Sequence, residues 1–176
     1  MSKAVFMIFS NFLLILLQLT LGSCGWPLPL ALMNSLCTTL AFGRAWGLAS
    51  AMLNALTLTV LYGGAWHMLN IFTYPMLAML LDWWINRHAD AARITFWTPG
   101  VWAALVSALP AAAAYISCNT FNSGTLDGRI LEILYLTLWS AAVSALIFMA
   151  MLFITEALAE YLGLPRFLKR KGGERR

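Results

Sequence analysis

Asp82 is the acidic residue that lies deepest within the long apolar runs of this chain. A carboxylate placed inside a membrane is a candidate functional group, such as a proton or cation ligand, because burying a charge in lipid is costly. The neighbouring Trp83, Trp84 and Arg87 favour a second interpretation. In it, Asp82 is an acid at the membrane boundary that is solvated or paired with Arg87.

Uncharged polar residues also interrupt the apolar runs. Such side chains can line a pocket for a polar solute, or they can hydrogen-bond between helices, a contact worth about 1 kcal/mol in model peptides. We interpret them as contacts between helices and keep Asn54 and Asn70 as candidate functional residues. The set comprises Asn34, Thr38, Thr39, Asn54, Thr57, Asn70 and Thr73.

Catalytic and metal-binding patterns are missing from the sequence. His67 and His88 have no His, Cys or Asp at ligand spacing. There is no nucleophile elbow, no HExxH motif and no glycine-rich phosphate loop. The sequence therefore predicts a protein that is not an enzyme and that binds no metal or cofactor. Cys24 and Cys118 are free thiols or, in an oxidising compartment, a disulfide pair.

The composition places these residues in a membrane protein. Hydrophobic residues make up 61% of the 176 residues and charged residues only 10%, against about a quarter in soluble domains. We predict an all-α integral membrane protein, with a transmembrane domain over 1–164 and a basic cytoplasmic tail over 165–176. Apolar runs of suitable length predict six transmembrane helices, at 4–21, 27–42, 42–64, 65–85, 99–118 and 129–162.

The first run has an alternative interpretation. Lys3, the apolar residues and Leu21-Gly22-Ser23-Cys24 resemble a bacterial lipoprotein signal, in which Cys24 becomes the lipidated N-terminus. The length of the run, and the further apolar segments behind it, favour a transmembrane helix.

Small residues recur at every fourth position of the third run. Gly47, Ala51, Ala55 and Thr59 lie on one side of a helix, which we call the small-residue face. Small residues let helix backbones approach closely within membranes. The small-residue face is therefore predicted to be a helix-packing or partner interface.

The positions of the Lys and Arg residues predict the orientation. With six spans, ten of the eleven lie on the side of the N-terminus and the tail, and Arg129 alone lies on the other. Because basic residues accumulate in cytoplasmic loops, both termini are predicted to be cytoplasmic.

The last helix is longer than one crossing, so its final turns, 155–162, are predicted to emerge along the cytoplasmic surface. The tail, rich in basic residues, is expected to meet anionic lipid rather than nucleic acid; its basic side chains include Arg166, Lys169, Arg170 and Lys171.

Residues 16–80 resemble the MreD family, small membrane proteins of the bacterial rod-shape complex, or elongasome. The match comprises Gly43-Arg44-Ala45-Trp46-Gly47, the small-residue face and Gly63, together with the six predicted spans and the basic tail. Two family glycines are alanines here, at Ala51 and Ala55, and the family aspartate falls on Thr59.

The resemblance implies a non-enzymatic scaffold in the bacterial inner membrane, which binds MreC and other elongasome proteins and links cell-wall synthesis to the cytoskeleton. MreD proteins resemble in fold the substrate-binding subunit of energy-coupling-factor vitamin transporters. The alternative is therefore a membrane subunit of that kind, in which Asn34, Asn54, Asn70 and Thr73 would line a cavity for a small molecule.

Overall fold

The computed structural model describes residues 2–23, 28–63, 68–87 and 130–164. These residues form five helices and no strand, which confirms the all-α prediction for this part of the chain. The fifth predicted span, 99–118, and the basic tail lie outside the described residues. The helices are α1 (Lys3–Ser23), α2 (Leu30–Phe42), α3 (Arg44–Tyr62), α4 (Asn70–Arg87) and α5 (Ile130–Tyr161).

Helix α2 is the centre of the bundle. All 13 of its residues are buried, and it contacts each of the other four described helices. The polar side chains of α2, such as Asn34, Thr38 and Thr39, are hydrogen-bonded, which allows the helix to be buried on all sides. At 1.5 Å per residue, α2 is about 20 Å long, too short to cross a hydrocarbon layer of about 30 Å. Its neighbours must therefore shield both its sides and its ends.

Helices α2 and α3 form a tight hairpin. Gly43 is the single residue between them, and its φ of 91° lies in the region that favours glycine. Gly63, with φ 64°, then ends α3. These two glycines therefore mark the beginning and the end of α3.

The N-terminus of α1 and the C-termini of α2 and α5 meet at one end of the bundle. The rings of Phe6 and Phe42 pack edge to face with centroids 5.6 Å apart, and Lys3 Nζ lies 5.5 Å from the centroid of Phe42. Ala159 and Leu164 belong to the same buried cluster. We call this the basic end, because the described Lys and Arg residues, Lys3, Arg44 and Arg87, stand at helix ends that meet here.

The last turns of α5 pack against the bundle on one side only. Thr155 and Ala159 are buried, and Ala159 packs in one cluster with Phe6 and Phe42. Leu158 and Tyr161 are exposed on the other side. The emergence of residues 155–162 along the cytoplasmic surface therefore stays a prediction.

Three helical segments are long and apolar enough to cross a membrane: Lys3–Ser23, Arg44–Tyr62 and Ala142–Tyr161. Their outward sides carry large apolar side chains, among them Phe12, Leu56 and Leu146. Such an apolar exterior is suited to lipid and identifies the chain as a membrane protein.

Candidate functional site

The strongest concentration of polar atoms lies between α1, α2 and α3. The side-chain oxygen of Asn11 accepts hydrogen bonds from three donors: Asn34 Nδ2, Ser50 Oγ at 2.9 Å and Asn54 Nδ2 at 3.1 Å. Asn11 is 1% exposed. One residue of α1 thereby joins the two helices of the hairpin through side-chain hydrogen bonds.

Asn54 is the second hub of this group. Its Nδ2 also donates to the carbonyl oxygen of Ala31 at 2.9 Å and to Ser35 Oγ at 3.0 Å. The Ser35 hydroxyl donates in turn to Ala31 O, so its oxygen is free to accept. If the Asn54 amide were turned over, its oxygen would face acceptors, so these partners fix its orientation. We call Asn11, Asn34, Ser35, Ser50 and Asn54 the polar cluster.

Two atoms of the polar cluster have no hydrogen-bond partner among the described residues, namely Asn11 Nδ2 and Asn54 Oδ1. The other amide atom of each side chain, Asn11 Oδ1 and Asn54 Nδ2, has three hydrogen-bond partners. An unpaired buried donor or acceptor costs about 1 to 3 kcal/mol. These two unpaired atoms therefore offset part of the stability that the contacts of Asn11 Oδ1 and Asn54 Nδ2 contribute.

The threonines that the sequence singles out bond to their own helices. Thr38 donates to Asn34 O at 2.7 Å, Thr39 to Ser35 O at 2.8 Å and Thr57 to Leu53 O at 2.8 Å. Bonds to the carbonyl four residues earlier satisfy the hydroxyl without joining helices. The threonines thus lie outside the polar cluster.

Asp82 is buried near the basic end of α4, with 6% of its surface exposed. Asn86 Nδ2 donates to Asp82 Oδ2 at 3.2 Å. The guanidinium of Arg87 lies 5.1 Å from the centroid of the Trp83 ring and forms no ion pair with Asp82. Asp82 is therefore buried and bonded to Asn86 rather than to Arg87, and its role as a functional group stays a prediction.

Asn70 and Thr73 stand apart from the polar cluster. Both are half-buried in the first turn of α4. Within the described part of the chain, no hydrogen bond joins either of them to Asn34 or Asn54. The described hydrogen bonds therefore connect Asn34 and Asn54 through Asn11 and include neither Asn70 nor Thr73.

The small-residue face packs within the chain. Gly47, Ala51 and Ala55 are buried, and Thr59 is half-buried. A Cβ placed on Gly47 would lie 2.8 Å from Thr39 Cα, a separation that atoms do not adopt. Helix α2 therefore lies against this face, and a partner helix could reach Gly47 only if α2 moved away.

Metal ligands do not gather in the described ranges, where no group of three His, Cys, Asp or Glu could hold an ion. Cys37 is a buried free thiol in α2. His67, His88, Cys24 and Cys118 fall outside the described residues. The described geometry therefore offers hydrogen bonding and packing rather than metal chemistry.

No family model matches the chain, and no curated protein and no solved structure matches it significantly.

Sequence reasoning missed Asn11, Ser50 and Gln18. Asn11 and Gln18 lie within the first apolar run, seven residues apart and hence on one side of a helix. Polar residues repeated on one side of an apolar helix indicate a side that faces protein. The same rule, applied to α1, would have marked its inner face.

Proposed function

We propose that this chain is an MreD-like, non-enzymatic scaffold in the bacterial inner membrane, with a six-helix transmembrane domain in which the other helices enclose the short α2. In this role it binds an MreC-like protein and other elongasome membrane proteins and links cell-wall synthesis to the cytoskeleton. The observation that carries the proposal is the polar cluster. Its asparagines, the residues best suited to a solute pocket, hydrogen-bond to one another across α1, α2 and α3.

The polar cluster favours a scaffold because it uses its hydrogen-bonding groups to hold helices. A solute-binding subunit needs a concave site with several polar groups turned toward a ligand. Here Asn34 and Asn54 converge on Asn11, and both are buried between helices. Interior polarity of this kind supports a rigid helical bundle rather than a binding cavity.

Partner helices would meet the outer sides of the bundle. The small-residue face is covered by α2, whereas Phe12, Phe72 and Leu146 present large apolar surfaces outward. Helices associate in lipid through close van der Waals packing and through hydrogen bonds between helices. The proposed mechanism is therefore positional: the bundle holds partner helices in place.

The orientation in the proposal follows the positive-inside rule. Lys3, Arg44 and Arg87 stand at helix ends that meet at the basic end. That end would face the cytoplasm, where basic residues accumulate and anionic lipid is available.

Purification after mild crosslinking in native membranes tests the function. A tagged chain is expected to bring down an MreC-like protein, and its loss is expected to disturb rod shape. Recovery of a transporter ATPase together with a bound small molecule would support the alternative. Failure to recover an MreC-like protein would contradict the scaffold role.

Substitutions on the outer sides locate the partner surface. Phe12→Ala, Phe72→Ala and Leu146→Ala are each expected to leave abundance unchanged, and at least one to reduce MreC recovery severalfold. Phe148→Ala is the matched control, because Phe148 is buried and its truncation should lower abundance instead. Unchanged recovery in all three outer variants would place the contact elsewhere and contradict this surface.

A further inference from the structure

Helix α1 has one face that belongs to the protein interior. Phe6, Met7, Asn11 and Ile15 are buried, and they follow one another at the three- to four-residue spacing of a single helix side. The opposite side is apolar and exposed, with Phe9 among its residues. A removable signal segment needs an apolar core but has no need of an inner face matched to other helices.

The polar cluster depends on α1. Asn11 Oδ1 accepts from Asn34, Ser50 and Asn54. Without α1, Asn34 Nδ2 and Ser50 Oγ would lose this acceptor, and Asn54 Nδ2 would keep only its partners in α2. Unsatisfied polar groups in hydrocarbon are costly, so the α2–α3 hairpin is built to receive this helix.

A second polar contact secures the start of α2. Gln18 Oε1 accepts a hydrogen bond from the backbone N–H of Ala31 at 2.8 Å. Ala31 lies in the first turn of α2, where backbone donors lack partners within the helix, and Pro29 provides no side-chain cap. Gln18 therefore replaces the missing cap from another helix.

Helix α2 also needs α1 as a cover. Its 13 residues are all buried, and α1 is one of the helices packed against it. Ile15 of α1 and Leu30 of α2 belong to the same buried apolar cluster. Removing α1 would expose a helix that is too short to span the membrane and whose first turn would lose its cap.

From these contacts we infer that α1 remains part of the mature protein as a structural helix, and that the lipoprotein-like sequence ending at Cys24 is not processed. The inference is independent of which partner the scaffold binds. It assigns Asn11 and Gln18 as the residues that hold α1 in place.

The intact mass of the protein tests this directly. A chain tagged at its C-terminus and purified from bacterial membranes is expected to retain residues 3–23. The Cys24→Ser variant is expected to have the same length and abundance. A product that begins at Cys24 and carries lipid on its sulfur, with accumulation of the longer chain in Cys24→Ser, would overturn the inference.

Two substitutions test how α1 is held. Asn11→Leu and Gln18→Leu keep the helix apolar, and each is expected to lower the thermal unfolding midpoint by about 3 to 6 °C, as loss of 1 to 2 kcal/mol does in a chain of this size. Phe12→Leu is the control on the exposed side and should shift the midpoint little. If Asn11→Leu and Gln18→Leu shifted the unfolding midpoint no more than Phe12→Leu does, α1 would not rely on these contacts.

Discussion

At the scale of single residues, the packing between α1 and the hairpin rests on short-range polar contacts. Asn11 supplies one acceptor oxygen and Asn54 one donor nitrogen, and together they connect α1, α2 and α3. Both side chains are inaccessible to solvent. Removing either side chain would leave its partners without a hydrogen bond. The free-energy cost of leaving a buried polar group unpaired is larger than the net stabilisation gained when it is paired.

Replacement of Asn54 by Leu is expected to destabilise the bundle by about 1 to 2 kcal/mol, because Asn11, Ala31 and Ser35 each lose a donor. The free energy of unfolding in detergent micelles measures the loss. Thr57→Val is the control, since the Thr57 hydroxyl bonds only within α3. A similar loss in both variants would contradict the role of the polar cluster.

Gly47 controls the closest approach of α2 and α3. Gly47→Ala is expected to cost about 1 to 3 kcal/mol, because the new Cβ would lie 2.8 Å from the backbone Cα of Thr39, which no side-chain rotation relieves. Thermal unfolding of the purified protein provides the measurement.

Gly22→Ala is the matched control for Gly47→Ala. Its nearest neighbour would be Tyr62 Oη at 3.6 Å, an ordinary contact. Alanine within a helix is favoured over glycine by about 0.5 to 1 kcal/mol, so this variant should be as stable as the parent or slightly more stable. If Gly47→Ala behaved in the same way, the close approach would be disproved.

At the scale of helices, each element has one side for the bundle and another for its surroundings. Helix α2 is the exception, because it is buried all round. Helix α5 packs against α2 through a stripe that includes Ser144, Phe148 and Leu152, while Phe153 points outward. Truncating one buried and one exposed phenylalanine therefore distinguishes the inner side of α5 from its outer side.

Phe148→Ala is expected to lower the free energy of unfolding by about 3 to 4 kcal/mol, because it leaves a cavity beside α2. Phe148 is fully buried, whereas Phe153 is 65% exposed. Phe153→Ala is therefore expected to cost less than about 1 kcal/mol. Equal losses of unfolding free energy for Phe148→Ala and Phe153→Ala in a denaturant titration would mean that Phe148 does not face the bundle interior.

At the scale of the whole molecule, the charges are arranged at one end. Lys3 begins α1, Arg44 begins α3 and Arg87 ends α4. The alternating directions of these helices bring the three residues to the same end of the bundle. Lipid with anionic headgroups on the cytoplasmic side would favour this end.

Thiol labelling determines the orientation. In a chain whose native cysteines are replaced by serine, Met68→Cys is expected to react with a membrane-impermeant reagent added outside spheroplasts. Ala45→Cys, beside Arg44, should react only after permeabilisation, because in the proposed orientation the basic end faces the cytoplasm. Both positions are exposed, which makes them a matched pair. The reverse pattern of labelling would invert the proposed topology.

Several features of the fold could be predicted from the sequence alone because they depend on neighbours along the chain. The apolar composition and the lengths of the runs indicate helices, and Gly43 and Gly63 mark where they end. The spacing of Gly47, Ala51 and Ala55 indicates one closely packed side of α3. Local backbone preferences and helical periodicity are sufficient for these predictions.

Only the tertiary structure decided which helices these residues join. Asn11 meets Asn34 and Asn54 across 23 and 43 residues of chain, and periodicity along one helix does not identify its neighbour. The contact of Asp82 with Asn86 and the stacking of Arg87 on Trp83, by contrast, join residues four apart in one helix, a spacing that the sequence itself shows. The sequence determined that polar groups lie inside an apolar bundle, and the packing of α1 against α2 and α3 determined that they hold the bundle together.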